Sequence, residues 1–151
     1  YQSGPPLVQT LAPLENLEEL EELTCALTPD VESLEPLSKM KNLKRLCLSG
    51  GSVRSLAPLS ELSKLEDVML DHFRSLETLE GLNSTSMRQL YIRDAPALKD
   101  VSAMSSMNHL TALKFWGCTS LPKAWELKET GEAEEIASLI RRIGKRYKTV
   151  G

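Results

Sequence analysis

Apolar residues recur along this chain at fixed offsets within units of 22 or 23 residues. In register, five units begin at Leu11, Leu34, Leu56, Leu79 and Val101. The second and third units show the shared positions: Leu34, Leu37, Met40, Leu43, Leu46 and Leu48 match Leu56, Leu59, Leu62, Leu65, Val68 and Leu70. A unit this short cannot bury its apolar edge alone, so neighbouring units have to stack and share a continuous core. The sequence therefore predicts a solenoid in which each unit contributes one short strand.

Two further features complete the pattern. The fourth unit is one residue short around Thr85 and regains the frame at Met87, Leu90 and Ile92. One more apolar position precedes each unit by three residues, at Val8, Val31, Val53, Leu76 and Leu98.

The units resemble leucine-rich repeats in two ways. The second half of each unit reads L-x-x-L-x-L, which resembles the leucine-rich-repeat consensus. One four-residue segment occurs in three units, as Leu11-Ala12-Pro13-Leu14, Leu34-Glu35-Pro36-Leu37 and Leu56-Ala57-Pro58-Leu59. These segments look like the turn of the 22-residue repeats in bacterial internalins and phosphatase-regulating SDS22-like proteins. Trp116-Gly117-Cys118-Thr119-Ser120-Leu121 resembles instead the Gly-Cys-x-x-Leu variant of plant-type and protozoan repeat proteins. The resemblance covers about residues 8–123 and implies an α/β-type solenoid, with a curved parallel sheet and an irregular or 3-10 convex side.

The repeat pattern also predicts the domain organisation. Residues 1–123 form the leucine-rich-repeat solenoid of about five repeats, and residues 124–151 form a C-terminal helix that caps the solenoid or binds a partner. Thr130 is placed to begin that helix, ahead of a first turn rich in glutamate.

Strand alternation places the side chains between the ladder leucines on the concave face of the sheet. Three columns result: Glu22, Arg45, Asp67, Gln89 and Ala112; Thr24, Cys47, Met69, Tyr91 and Lys114; Ala26, Ser49, Asp71, Arg93 and Trp116. Aromatic and arginine side chains on an exposed face are typical of protein-binding hot spots. The predicted partner-binding residues are Arg45, Asp67, Met69, Asp71, Tyr91, Arg93, Lys114 and Trp116. The alternative is that Trp116 packs under the C-terminal segment and that Tyr91 is an ordinary strand aromatic.

The C-terminal segment carries an apolar stripe at helical spacing, made of Ile136, Leu139, Ile140, Ile143 and Tyr147. The stripe either seals the last repeat alongside Trp125 or pairs with a partner helix or a second copy of the chain. Basic residues follow, and they form a secondary patch that could contact RNA or lipid phosphate: Arg141, Arg142, Lys145, Arg146 and Lys148. The acidic N-terminal unit, from Glu15 to Glu22, is a solvated surface or a docking patch for a basic partner.

Motifs of catalysis and of metal binding are not found in the sequence. It has no phosphate loop and no dinucleotide-binding glycine motif, and neither His72 nor His109 has a second ligand at metal-binding spacing. We therefore expect no catalytic residue, no cofactor and no enzymatic activity. No apolar stretch approaches the ~20 residues of a membrane span.

The three cysteines indicate the compartment. Cys25 and Cys118 point inward four repeats apart, and Cys47 points outward, so no pair is placed to form a disulfide. This favours a cytoplasmic or otherwise intracellular, reducing location.

The sequence thus predicts a protein-interaction module, a scaffold or adaptor subunit that binds a protein partner on its concave face. One alternative is a nucleic-acid- or lipid-associated subunit that uses the basic C-terminal helix, although the net charge of −3 argues against nucleic acid as a partner. The other alternative is a secreted or surface adhesin of the internalin type.

Overall fold

Six parallel strands form one sheet, and they follow one another across it in the order of the chain. The computed structural model describes residues 7–82, 86–122, 136 and 138–143. The strands are β1 (Leu7–Val8), β2 (Glu22–Leu27), β3 (Arg45–Gly50), β4 (Asp67–Asp71), β5 (Gln89–Arg93) and β6 (Ala112–Trp116). Each strand pairs in parallel with the next. This arrangement is that of a leucine-rich-repeat solenoid, as the sequence predicts.

The strand register confirms the three predicted columns of the concave face. Arg45 lies opposite Glu22 on one side and opposite Asp67 on the other. Tyr91 lies between Met69 and Lys114, and Arg93 is opposite Trp116. Because adjacent strands are about 4.8 Å apart, residues of one column are direct neighbours.

The core lies on the other face of the sheet, where the ladder leucines are packed. Leu48 and Leu70 at the centre of the sheet are both 0% exposed. The fourth unit has regained its frame by Met87, which is also fully buried; the shortened stretch at Thr85 lies outside the described residues. Since stacked repeats share one core, every inner repeat depends on both of its neighbours.

Short 3-10 segments form the convex side, at Ala12–Leu14, Glu35–Lys39, Ala57–Leu59 and Ser102–Ser106. The first three have proline in their first turn, where its missing N–H costs no hydrogen bond. A hydroxyl or carboxylate two residues upstream accepts a backbone N–H at the start of each turn, as Ser33 does from Glu35 at 3.1 Å and Asp100 from Ser102 at 2.9 Å. These local hydrogen bonds favour a turn over a continued strand.

The first strand corrects one detail of the sequence prediction. The repeat pattern places Val8 at the position equivalent to Val31, three residues before its unit. In the structure Val8 belongs to β1 and lies opposite Leu27, whereas Val31 follows the strand and is 5% exposed. The segment between β1 and Leu11 is shorter than the equivalent segments of the other units. Val8, although it also precedes its unit by three residues, therefore lies within the strand and not after it.

The C-terminal helix, α1, includes residues 136 and 138–143. Ile136, Leu139 and Ile143 are at most 1% exposed and belong to the same apolar core as the repeats. Their burial favours the capping alternative over self-association, because three side chains of the proposed interface are occupied within the chain. Trp125, Thr130 and Tyr147 lie outside the described residues. Among the residues that are described, no helix has the length and apolar character that spanning a membrane requires.

Candidate partner-binding face

Most of the predicted partner-binding residues come together where β4, β5 and β6 expose their outward side chains. A hollow of about 440 Å³ opens between these strands. We call it the concave hollow, and its lining consists of Met69, Asp71, Tyr91, Ile92, Arg93, Lys114 and Trp116. Six of the eight predicted residues therefore line one site. Their role in binding stays a prediction.

Trp116 and Met69 supply the exposed apolar surface of the concave hollow. Trp116 is 55% exposed and Met69 is 44% exposed. In the described part of the chain, Leu7 and Leu17 are the other large apolar residues with comparable exposure. The alternative in which this ring packs under the C-terminal segment involves residues 123–135, which lie outside the described residues. A ring and a thioether fixed to a rigid sheet are suited to pack against apolar side chains of another molecule.

Two cationic side chains lie against the Trp116 ring. The Nζ atom of Lys114 is 4.8 Å from the ring centroid, and the Cζ atom of Arg93 is 5.8 Å from it. Both distances are within the range of cation–π attraction. Arg93 comes from the neighbouring strand and Lys114 from the same strand as Trp116, so the geometry of the sheet itself produces this arrangement.

Asp71 holds the Arg93 guanidinium by two hydrogen bonds. The Arg93 Nε atom donates to Asp71 Oδ1 at 3.2 Å, and Nη2 donates to Oδ2 at 3.1 Å. The pair occupies one column on adjacent strands, so the guanidinium lies along the sheet. A bidentate pair fixes orientation as well as position. Arg93 is therefore presented to the concave hollow in a restricted geometry.

The other two predicted residues, Arg45 and Asp67, lie elsewhere on the face. They line a second hollow of about 220 Å³. The Nε atom of Arg45 is 3.1 Å from the Asp67 carboxylate, and its Nη1 atom is 3.8 Å from that of Glu22. Six of the eight predicted residues thus line the apolar concave hollow with its two cations, and the other two form an ion-paired region next to it.

A polar network at the ends of β4 and β5 was not predicted from the sequence. His72 and Asp94 directly follow these strands and have positive φ angles of 57° and 54°. His72 Nδ1 donates to Asp94 Oδ2 at 2.6 Å, and Arg74 donates to the same oxygen. Glycines with positive φ occupy the equivalent positions in other units, at Gly50 and Gly117. The four equivalent positions thus hold only Gly, His and Asp, residue types that adopt the left-handed region more readily than most, and this is the signal in the sequence that could have indicated the network.

The environment of this network bears on its chemistry. The hydrogen bond from His72 and those from Arg74 lower the pKa of the Asp94 carboxyl. The other imidazole nitrogen, Nε2, is 3.7 Å from the Asp71 carboxylate, so the ring lies between two carboxylates. The arrangement is typical of a structural network. Within the described ranges, no group of three or more His, Cys, Asp or Glu side chains is placed to hold a metal ion.

The cysteines occupy the positions that the repeat register predicted. None of the three forms a disulfide; Cys25 and Cys118 are buried, and Cys47 is half-buried on the concave face beside Met69. Burial raises the pKa of the Cys25 and Cys47 thiols, with smaller contributions from Cys47 to the first and from Asp71 to the second. Both thiols therefore stay protonated near neutral pH and are weak nucleophiles.

A larger hollow of about 560 Å³ lies between α1 and the last repeats. Arg88, His109 and Arg141 line it together with Ile136 and Ile140. Of the predicted secondary patch, Arg141 lines this hollow and Arg142 is exposed, while Lys145, Arg146 and Lys148 lie outside the described residues. Ile136 already belongs to the core, so this hollow exposes less apolar surface to a partner than the concave hollow does.

Comparisons with known proteins support the fold. No protein-family model matches the chain, and the search of curated proteins finds no match. Among solved structures, internalin C2 from Listeria monocytogenes str. 4b F2365 is similar at a TM-score of 0.61 and 19% identity, covering 82% of this chain and 63% of that one. An internalin (inlF) from the same strain has a TM-score of 0.43 at 19% identity, covering 75% of this chain and 43% of that one. This chain thus spans less than two thirds of the length of either structure, and the likeness shows the fold alone.

Proposed function

We propose that this protein is an interaction module that binds another protein on its concave face, at the concave hollow. The observation that carries the proposal is the exposure of Trp116 and Met69 beside Tyr91, Arg93 and Lys114, all lining one hollow. Large apolar side chains grouped in this way on a soluble surface are typical of binding sites. A scaffold or adaptor role within a larger assembly is consistent with this surface.

The rigidity of the sheet supports the proposal energetically. Each lining side chain belongs to a strand that is paired with its neighbour and backed by buried apolar side chains. Association costs less when few groups have to be ordered on binding. Trp116 is further restrained by Lys114 and Arg93. The lining of the concave hollow is therefore preorganised for binding.

The proposal is tested by affinity capture from a native lysate of the source organism, followed by measurement of the dissociation constant of each identified partner. The test variant is Tyr91→Ala/Trp116→Ala. Truncation of hot-spot residues costs at least about 2 kcal/mol, so we expect the affinity to fall by roughly 30-fold or more. A partner that binds the double variant with unchanged affinity would refute the concave-face proposal.

The matched control is Arg141→Ser/Arg142→Ser, which also changes two residues but leaves the concave face intact. Deletion of the terminal segment is a poorer control, because α1 contributes buried side chains to the core. A partner lost with this control and retained by the Tyr91→Ala/Trp116→Ala variant would place the function on the terminal helix. Loss of its binding with rising salt would then favour a phosphate-bearing partner such as RNA or lipid.

We also propose a reducing, intracellular location for the module. The support is that Cys25, Cys47 and Cys118, all of them described, form no disulfide with one another. Protein isolated from cells under alkylating conditions is expected to have all three thiols modified after unfolding. Recovery of oxidised cysteines would contradict this location and favour the adhesin alternative.

A further inference from the structure

The concave hollow has an electrostatic character that limits what it accepts. Two cations, Arg93 and Lys114, and one carboxylate, Asp71, line it, which gives a net charge of +1. The same two cations lie 5.8 Å and 4.8 Å from the Trp116 ring centroid. Because Arg93 and Lys114 already lie next to the ring, a further cation brought to the ring is repelled by two positive charges. Lysine- and arginine-rich segments are therefore disfavoured at this position.

Apolar groups are favoured in the same place. Met69, Tyr91 and Trp116 provide a surface for an aliphatic or aromatic side chain. The volume of about 440 Å³ is within the usual range of binding pockets and is open to the solvent side of the sheet. A carboxylate on the same ligand is attracted by Lys114 and Arg93, which line the same hollow.

We propose that the concave hollow binds a segment of another protein in which an apolar side chain is next to an aspartate or glutamate. The apolar side chain packs among Met69, Tyr91 and Trp116, and the carboxylate pairs with Lys114 and Arg93. This inference rests on the proposed function and adds the chemistry of the partner. Asp71 competes with the incoming carboxylate for Arg93, since it already accepts two hydrogen bonds from that guanidinium. Asp71 is in this way a residue that sets the selectivity of the hollow.

The first test is selection from a display library of random peptides on the full chain. We expect the enriched peptides to share an apolar residue within two positions of Asp or Glu, and to be lost when the target is the Tyr91→Ala/Trp116→Ala variant. Enrichment of Lys- or Arg-rich peptides that also depend on Tyr91 and Trp116 would overturn the inference and leave the concave-face function standing. Peptides that bind the double variant equally well would overturn the inference, and affinity capture with the same variant decides the proposed function separately.

The second test uses one enriched peptide and single substitutions. Asp71→Asn releases Arg93 and removes a like charge, so we expect the peptide to bind about threefold more tightly. Asp67→Asn is the matched control, because it removes the same charge from the same strand but lies outside the concave hollow. Lys114→Glu is expected to weaken binding at least tenfold. Equal effects of Asp71→Asn and Asp67→Asn, or weaker binding by Asp71→Asn, would overturn the inference.

A second copy of the chain is the other candidate occupant, because its exposed Leu17 lies within an acidic stretch. Sedimentation velocity over a hundredfold range of concentration distinguishes the two. We expect a monomer throughout. Association that the Tyr91→Ala/Trp116→Ala variant abolishes would identify a second copy in the hollow and overturn the assignment to a different protein. A library selection that enriches no shared pattern would also overturn the inference, while affinity capture still decides the proposed function.

Discussion

Leu139 provides a direct test of whether α1 seals the solenoid. Its side chain is 0% exposed within the core that the repeats build. Leu139→Ala removes three carbon atoms, worth about 0.8 kcal/mol each by transfer, or about 2.4 kcal/mol in total. The cavity that remains raises the usual cost of a buried Leu→Ala change to about 2.7–5.0 kcal/mol. We therefore expect the free energy of unfolding to fall by about 3 kcal/mol.

Urea unfolding followed by far-UV circular dichroism measures this loss. With a slope of about 2 kcal/mol per molar urea, the midpoint should fall by about 1.5 M while the slope is unchanged. Arg142→Ala is the control on the same helix, since Arg142 is exposed, and it should change the unfolding free energy by less than about 0.5 kcal/mol. The wild type and the Leu139→Ala variant are each measured at two protein concentrations that differ tenfold.

Capping and self-association predict different results in this assay. If α1 packs within its own chain, the midpoint does not depend on protein concentration. A loss below about 1 kcal/mol for Leu139→Ala would refute the packing described for α1. A wild-type midpoint that rises with concentration would assign the apolar stripe to an interface between copies.

Two further predictions concern the ends of the strands. Gly50→Ala should lower the free energy of unfolding in urea by about 3 kcal/mol, because Gly50 has a φ of 81° and an added Cβ would collide with the carbonyl oxygen of Leu27. Gly117→Ala, with a φ of 73° and no such collision, should lower it by about 1–2 kcal/mol. Equal losses for the two variants would contradict this reasoning. Asp94 has a lowered pKa in the folded chain, so its stabilising effect is present above its unfolded pKa of about 3.9 and is lost as the pH falls through the lower folded value. The difference in unfolding free energy between wild type and Asp94→Asn should therefore shrink as the pH falls below about 4. A difference that does not change in this range would exclude this role.

Periodicity makes most of the fold predictable from the sequence. The side-chain period of a strand is two, so once Leu46 and Leu48 are assigned to the core, Cys47 has to face the concave side. Units of 22 or 23 residues that keep the same ladder positions then bring equivalent residues side by side, which is why the repeat register alone places Met69, Tyr91 and Lys114 in one column. The pattern does not predict β1, because a two-residue strand is too short to show a period.

The side-chain network is predictable only in part. Column positions give neighbours, and they indicate that Arg93 and Asp71 adjoin. They do not give rotamers, so the two hydrogen bonds between these residues and the cations against Trp116 are known only from the structure. The link between His72 and Asp94 depends on the left-handed backbone at both residues, which alternation along a strand does not predict.

The concave face separates the source of affinity from the source of selectivity. Its ion pairs, such as exposed Arg45 with half-buried Asp67, lie at the surface, and surface pairs contribute about 0–1 kcal/mol each. Burial of apolar surface contributes about 25 cal/mol for each Å² removed from water, and Trp116 and Met69 are the residues of this face with the most to bury. Most of the binding free energy is therefore expected from the ring and the thioether. The charges around them decide which apolar segment is accepted, because a mispaired charge in a contact costs more than a correct pair contributes. A substitution at Trp116 should consequently weaken every ligand of the concave hollow, whereas a substitution at Asp71 should change the order of preference among ligands.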